Sequence, residues 1–360
     1  MSKTIKARLK HLNNFVDEQW DNYYWQFLVK HETNIDWDRV SSNENITLKK
    51  IVNNGLHNWD WNWNSSNPNI NMEYVKNNFN RDWNWSILSL NKNITIQDIE
   101  NNMDMGWDWV FLSYNPNITV NFIKKHIDEK WNWQFISDNA CIKFDDVYKN
   151  PDLPWSWKHL SYNRNITLDI ILANPGMPWD WESLSYNPNL TLDAIEKYND
   201  IVKCNWTGIS KNPNLTIEFI NEHSDKPWDY YELGKNPSFT LDMIENNMDM
   251  PWNWFSFSVN PNLTMDFINK YPNIDWNWEF ISKNPSILIE DINNNPDKPW
   301  CWKYISQNKF TKNKEIFYQK WYRKYMAIFR LQQYFNKAYD NPQYALFKKI
   351  FNRNWDNAIC

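Results

Sequence analysis

Trp179-Asp-Trp-Glu-Ser-Leu-Ser-Tyr-Asn-Pro-Asn-Leu-Thr-Leu-Asp-Ala-Ile195 is the stretch whose reading decides the fold. Two tryptophans one residue apart cannot share a helix face, because positions i and i+2 point in very different directions. The conflict disappears if Asp180 is an N-cap. Its carboxylate then accepts backbone N–H bonds and Trp181 opens a helix, while Trp179 and Leu184 stand where a hydrophobic staple needs them. Pro188 stops this helix near Asn187. Thr191 caps a second helix, with Leu190 and Ile195 as a second staple. The stretch therefore spells two short helices joined by tight corners.

The same grammar runs from Ile35 to Thr311. Trp83, Trp107, Trp131, Trp155 and Trp179 fall 24 residues apart, as do Trp228, Trp252, Trp276 and Trp300. The residue between the paired positions is Asp36, Asp60, Asn84, Asp108, Asn132, Ser156, Asp180, Asn205, Asp229, Asn253 or Asn277, all capping types, and only Cys301 breaks the rule. Thr47, Thr95, Thr119, Thr167, Thr216, Thr240 and Thr264 repeat the second cap; Lys143 and Leu288 replace it and should weaken it. One Asn recurs in every copy, from Asn43 and Asn67 to Asn284 and Asn308. It predicts a partly buried ladder bonded to backbone at the corner and in the adjacent copy. A Ser two residues earlier, replaced only by Gly234, suggests close helix approach.

Helices of about two turns are unstable alone in water, so the copies must stack. The expected fold is all-α: a right-handed-type α-solenoid of about eleven to twelve 24-residue two-helix repeats with helical end caps. At 8–10 Å per helix such an array extends roughly 100 Å. A leucine-rich-repeat-like solenoid is the alternative. It needs an apolar residue two before Leu184, where Glu182 stands, with Ser86, Gln134, Lys158, Glu279 and Lys303 as equivalents.

The flanks differ from the array. Residues 1–34 read as an N-terminal helical cap in which Tyr23-Tyr-Trp-Gln-Phe-Leu28 echoes Trp131-Asn-Trp-Gln-Phe-Ile136 as a degenerate half-repeat. Residues 35–311 are the tandem repeats, with one inserted residue that a bulge near Asn199–Lys203 would absorb. Residues 312–360 form a basic tail or cap: a long helix through Ile316–Phe335, a turn at Asn341-Pro342 and a second helix over Tyr344–Asn354.

Charge follows the same division. The chain carries -5, but the tail holds ten Lys/Arg against three acids, which leaves the remainder at -12. An acidic array is no track for nucleic acid. Cys141, Cys204, Cys301 and Cys360 are too scattered for a zinc site or a disulfide framework. The first twenty residues lack a signal peptide's apolar core, and no apolar run reaches transmembrane length. These features point to an intracellular protein, in host cytoplasm or virion, and not to a secreted one. The Asn-x-Thr triplets at Asn45, Asn93, Asn165 and Asn189 are then corner chemistry, not glycosylation acceptors.

The pattern Trp-Asp/Asn-Trp…Leu-Ser-x-Asn-Pro-Asn-Ile-Thr resembles tandem repeats of uncharacterised proteins from mimivirus-like giant DNA viruses. The tail Leu331-Gln-Gln-Tyr-Phe…Asn341-Pro-Gln-Tyr344 is similar to endings on those proteins. The resemblance implies a viral origin and a repeat family, and brings no activity or site.

His11, His31, His57, His126, His159 and His223 form no local cluster with Cys or carboxylates, and five glycines make no phosphate loop. The expected function is a non-enzymatic repeat scaffold for protein–protein interaction, a monomer without cofactor or metal. The alternative is a carbohydrate-binding surface of exposed Trp faces. Binding should use variable exposed positions, with Lys158, Glu182, Tyr231, Phe255 and Lys303 as the candidate face and Arg323, Lys324, Arg330 and Lys337 as candidate tail contacts.

Overall fold

The computed structural model describes residues 3–54, 59–198 and 205–339; for 3–9, 198 and 328–339 only the backbone is described. Every regular element among the described residues is helical, which sets the leucine-rich-repeat alternative aside. The chain is an α-solenoid of two-helix repeats. It divides into two compact units, one of residues 25–310 and the other of Met1–Tyr24 with Thr311–Cys360. The bulge at Asn199–Lys203 and the second tail helix lie outside the described residues.

Unit 25–310 holds twelve copies, counted here from copy 1 at Ile35 to copy 12 at Trp300. The first helix starts at the second Trp position, as in Trp133–Asp138 and Trp181–Leu184, and the second follows the Thr cap, as in Val120–Lys125. Asp180 has extended backbone and accepts from Ser183 N at 2.7 Å, as its N-cap role requires. Ser156 and Cys301 make no side-chain cap bond. Where Lys143 and Leu288 replace Thr, the carboxylates of Asp146 and Asp291 accept the cap residue's own N–H at 2.9 and 2.8 Å. Half of a capping box survives there.

The paired tryptophans divide the work. The first is at most 9 % exposed wherever it occurs. Its indole N–H donates to the carbonyl that ends the preceding second helix, at 2.7 Å from Trp107 to Asn102 and 2.9 Å from Trp228 to His223. One bond thus satisfies a buried indole and a helix terminus. The second Trp meets the next copy's first Trp edge to face, as in Trp85–Trp107 at 5.1 Å and 89° and Trp278–Trp300 at 5.1 Å and 88°.

Two polar ladders join the copies. The recurrent Asn is buried; Asn163 Nδ2 donates to Ser137 O at 2.8 Å and Asn139 O at 3.2 Å, and its Oδ1 accepts from Asn165 N at 2.8 Å. The recurrent Ser is a relay as well as a small residue. Ser161 Oγ donates to Trp157 O at 2.7 Å and accepts the N–H of the next cap, Asp180, at 2.9 Å. The acceptor-like Asn residues are spent on the same corners: Asn45 Nδ2 donates to Lys309 O, Asn93 to Pro68 O, Asn165 to Ala140 O and Asn189 to Arg164 O.

Both ladders close on themselves. Asn43 in copy 1 donates to Ser306 O at 3.0 Å and Asn308 O at 2.9 Å in copy 12, as Asn67 does to Ser41 O and Asn43 O. Asp36 N donates to Ser306 Oγ at 2.9 Å, as Asp60 N does to Ser41 Oγ. The unit is therefore a ring and not a rod of roughly 100 Å. A rotation of about 30° per copy accumulates to a full turn over twelve, and a rotation that closes yields a ring.

Copy 12 is split between the chain ends. Its first helix is Trp302–Ile305, and the last turns of the N-terminal helix, Lys3–Lys30, fill its second-helix place. The register is set by three matches. Phe27–His31 pack at 5.0 Å as Phe122–His126 do at 4.7 Å and Phe219–His223 at 4.2 Å. His31 lies 4.8 Å from Trp302, as His126 lies 5.5 Å from Trp109. Lys30 bonds Asn293 where Lys125 bonds Glu100 in the same relative positions. The echo of Trp131–Ile136 thus misplaced this half-repeat: Phe27 corresponds to Phe122 in a second helix. Phe310, fully buried at a φ of 48°, packs on Phe27 at the seam.

In the other unit, residues up to Tyr24 pair antiparallel with the start of the C-terminal helix, Thr311–Tyr339. Trp20 meets Phe317 at 5.4 Å, Phe15 meets Trp321 at 5.4 Å, and Tyr322 Oη donates to Asn13 Oδ1 at 2.9 Å.

Two copies depart from the pattern in testable ways. Asn64 occupies the core position held elsewhere by residues such as Leu88 and Leu112; it is fully buried, and neither Nδ2 nor Oδ1 has a hydrogen-bond partner. Asn64→Leu is expected to raise the unfolding free energy by about 1–3 kcal/mol, the usual cost of an unpaired buried polar group. Chemical denaturation checks this, and a loss of stability would show that the amide is needed. Gly234 stands in for the relay Ser because a Cβ there would lie 2.3 Å from Ser256 Oγ, which donates to Asn253 O instead. Gly234→Ser alone is expected to cost about 1–3 kcal/mol by overpacking. Adding Ser256→Ala should recover most of it by freeing the new hydroxyl for Asn253 N, so purely additive effects in the double variant would refute the relay.

Candidate functional site

First helices of successive copies pack directly against one another, whereas second helices are spread more widely. In a closed ring the more closely spaced layer has the smaller radius, so the first helices form the inner layer. A cavity of about 580 Å³ agrees with this, because Gln307, Ser42, Ser66, Leu90 and Pro116 from five consecutive copies converge on it. Twelve helices at a spacing of 8–10 Å fit a circle of radius about 17 Å. Helices with side chains are 10–12 Å thick, which leaves an opening on the order of 20 Å.

On each first helix the core takes the second Trp and the fourth and fifth residues, as in Trp133, Ile136 and Ser137. The second and sixth residues share the opposite face and point towards the axis, as does the third except where it is the buried Ser183, Gly208 or Ser256. Lys158, Glu182, Tyr231, Phe255 and Lys303 all occupy the second position and all are exposed, so the structure gathers the candidate face onto this inner wall. Lys158 and Glu182 line one cleft of about 370 Å³ with Tyr162, Asp180 and Tyr186.

The wall is more aromatic than those five residues imply. Val110, Phe111, Tyr114 and Tyr186 are exposed there as well as Tyr231 and Phe255. Tyr114 lies tilted against Phe135 at 3.9 Å, and Phe255 meets Phe280 at 4.9 Å. Val110 shares the second position with the chosen residues, Phe111 stands at the third and Tyr114 and Tyr186 at the sixth, and aromatics at helical spacing look like core. Lysines cover several rings: Lys211 over Tyr186 at 5.2 Å, Lys235 over Tyr231 at 4.2 Å and Lys283 over Phe280 at 4.4 Å.

Partial burial shifts several groups on this wall. Burial raises Asp138, with the Arg164 charge opposing it. Tyr162 is pushed up to about 12 by burial and then by the Asp138 and Tyr114 charges. Burial lowers His159, assisted by the Lys158 ammonium. On the outer layer, Glu196, Glu222 and His223 bring donor atoms within 4.8 Å of one another. Two of the three residues, Glu196 and Glu222, are exposed.

In the C-terminal helix, Arg323 and Lys324 are exposed, with Lys324 over Trp321 at 4.9 Å. Arg330 and Lys337 lie on the same helix, but their side chains are outside the described residues. The Trp residues among those described are buried or part-buried, and part-buried Trp63 stands at the third wall position of its copy. No helix among them is long and apolar enough to cross a membrane. No protein-family model matches the chain, and no curated protein or solved structure gives a significant match.

Proposed function

We propose that this protein is a non-enzymatic scaffold that holds a protein partner on the inner wall of its ring. One observation carries the reading. The recurring Trp, Asn, Ser and cap residues are consumed by the framework, while the wall positions differ from copy to copy and leave Val110, Phe111, Tyr114, Tyr186, Tyr231 and Phe255 exposed. Exposed aromatics grouped on one concave face are the mark of an interaction surface. Ring closure within one chain suits a monomer, since neither end of the array needs a second copy to cover it. The repeat resemblance supports a role in infected cells, and the acidic array disfavours nucleic acid as cargo.

Site-specific photo-crosslinkers test the reading. Placed at Phe111, Tyr231 and Phe255 of the full chain, they should capture a discrete partner in infected cells. At Tyr148 and Leu172, exposed on second helices, they should not. Capture from the outer positions only would overturn the proposal.

A further inference from the structure

We propose that copies 8–12 of the inner wall form a docking surface for an acidic polypeptide segment bearing apolar or aromatic side chains. The inference rests on the scaffold reading and names the chemistry of its partner. Between residues 25 and 310 the ring holds 24 Lys/Arg against 37 Asp/Glu, a net charge of -13. Its inner wall runs against that balance. In copies 8–12 the three wall positions of the first helix and the residue after the ladder Asn carry five lysines, Lys211, Lys235, Lys283, Lys303 and Lys309. Within these copies Glu232 and Glu279 oppose them, giving +3, and Lys309 also pairs across the seam with Glu44 of copy 1 at 3.2 Å. The same positions in copies 1–7 carry four charges of each sign and cancel.

A cationic sector on an acidic ring focuses an anionic partner onto one arc and repels it elsewhere. The lysines are held beside rings: Lys283 lies 4.4 Å over Phe280 and 5.7 Å over Tyr304, and Lys303 lies 5.8 Å over Tyr304. Glu232 bonds Lys235 at 2.8 Å and approaches Lys211 at 3.8 Å, which fixes that pair. Tyr231 and Phe255 are exposed between the cations. A carboxylate-rich segment alone would use the ammonium groups and leave the aromatics wet. One that alternates acids with apolar side chains matches both. An opening on the order of 20 Å admits a single α-helix of 10–12 Å diameter.

The test uses the full chain and a random copolymer of Glu and Tyr as the probe, with polyglutamate, a single-stranded oligonucleotide and a second copy of the chain as comparisons. The Glu/Tyr copolymer should bind more tightly than polyglutamate. Lys283→Glu with Lys303→Glu should weaken it about tenfold or more. Lys143→Glu with Lys149→Glu, on a second helix, should leave it unchanged. Because the tail is also basic, the wall-specific loss is the deciding quantity, and unchanged thermal melting confirms that each variant folds. Equal loss from both pairs, or none from the wall pair, would overturn the proposal. So would tighter binding of the oligonucleotide, or self-association through Lys283 and Lys303. If the copolymer fails while crosslinkers at Phe255 still capture a partner, the charge assignment falls and the scaffold reading stands.

Discussion

Asn163→Leu is expected to lower the unfolding free energy by about 3–5 kcal/mol. The residue is fully buried, and its Nδ2 supplies donors to Ser137 O and Asn139 O while its Oδ1 takes the Asn165 N–H. Leucine matches the volume but leaves Ser137 O and Asn165 N without partners, each costing about 1–3 kcal/mol, and reduces Asn139 O to its bond from Ile142 N. Asn163→Asp separates the two halves of the role. It keeps an acceptor for Asn165 N but turns a carboxylate towards two carbonyl oxygens, so at neutral pH it should cost at least as much. The sign of its pH dependence follows from burial. The folded-state pKa of that carboxyl lies above its unfolded value, so the variant regains stability as pH falls and the group takes up a proton that it can donate. Denaturation midpoints at neutral and acidic pH measure both effects. A loss under about 1 kcal/mol, the net worth of one ordinary hydrogen bond, would show that the ladder is incidental.

Phe27→Ala combined with Leu28→Ala is expected to open the ring. Both residues are buried, and Phe27 packs edge to face on Phe310, nearly the whole array away in sequence. Each truncation costs roughly 3–5 and 2–5 kcal/mol respectively in a packed core. The consequences should be local in space and remote in sequence. Hydrogen exchange should accelerate first at Asp36, Ile46 and Phe310, whose N–H groups bond at or beside the seam, while Ile136 and Leu160 on the far side stay protected. Uniform loss of protection around the ring would mean that the seam is no weaker than any other junction.

The repeat unit was legible because its chemistry is local. A capping residue between two tryptophans, a Pro after an Asn and a Thr before an amphipathic run each fix the backbone within a few residues. Asn163 was legible as a ladder for the same reason. Ring closure was not, because it depends on a rotation of about 30° per copy that no single residue encodes. The register of the N-terminal half-repeat could have been found: the Phe27–His31 spacing repeats Phe122–His126 and Phe219–His223. The aromatic run Tyr23-Tyr-Trp25 drew attention to the first-helix pattern instead. Ser161 was taken only for its size; its relay needs the neighbouring copy's N–H, which the sequence does not display.

The interaction surface was half legible. Lys158, Glu182, Tyr231, Phe255 and Lys303 were chosen because they vary at one repeat position, and a single position necessarily lies on a single face. That this face is concave follows only from closure, and closure turns scattered residues such as Lys211 and Lys283 into one cationic arc.

Distance measurement across the seam tests the closed ring most directly. Spin labels at Asp38 and Lys303 occupy the same first-helix position in copies 1 and 12, and labels at Asp38 and Asn62 occupy it in copies 1 and 2. With native cysteines replaced, pulsed dipolar spectroscopy on a ring gives both pairs the same short distance distribution. A Asp38–Lys303 separation approaching the roughly 100 Å of an open array at 8–10 Å per helix would contradict it.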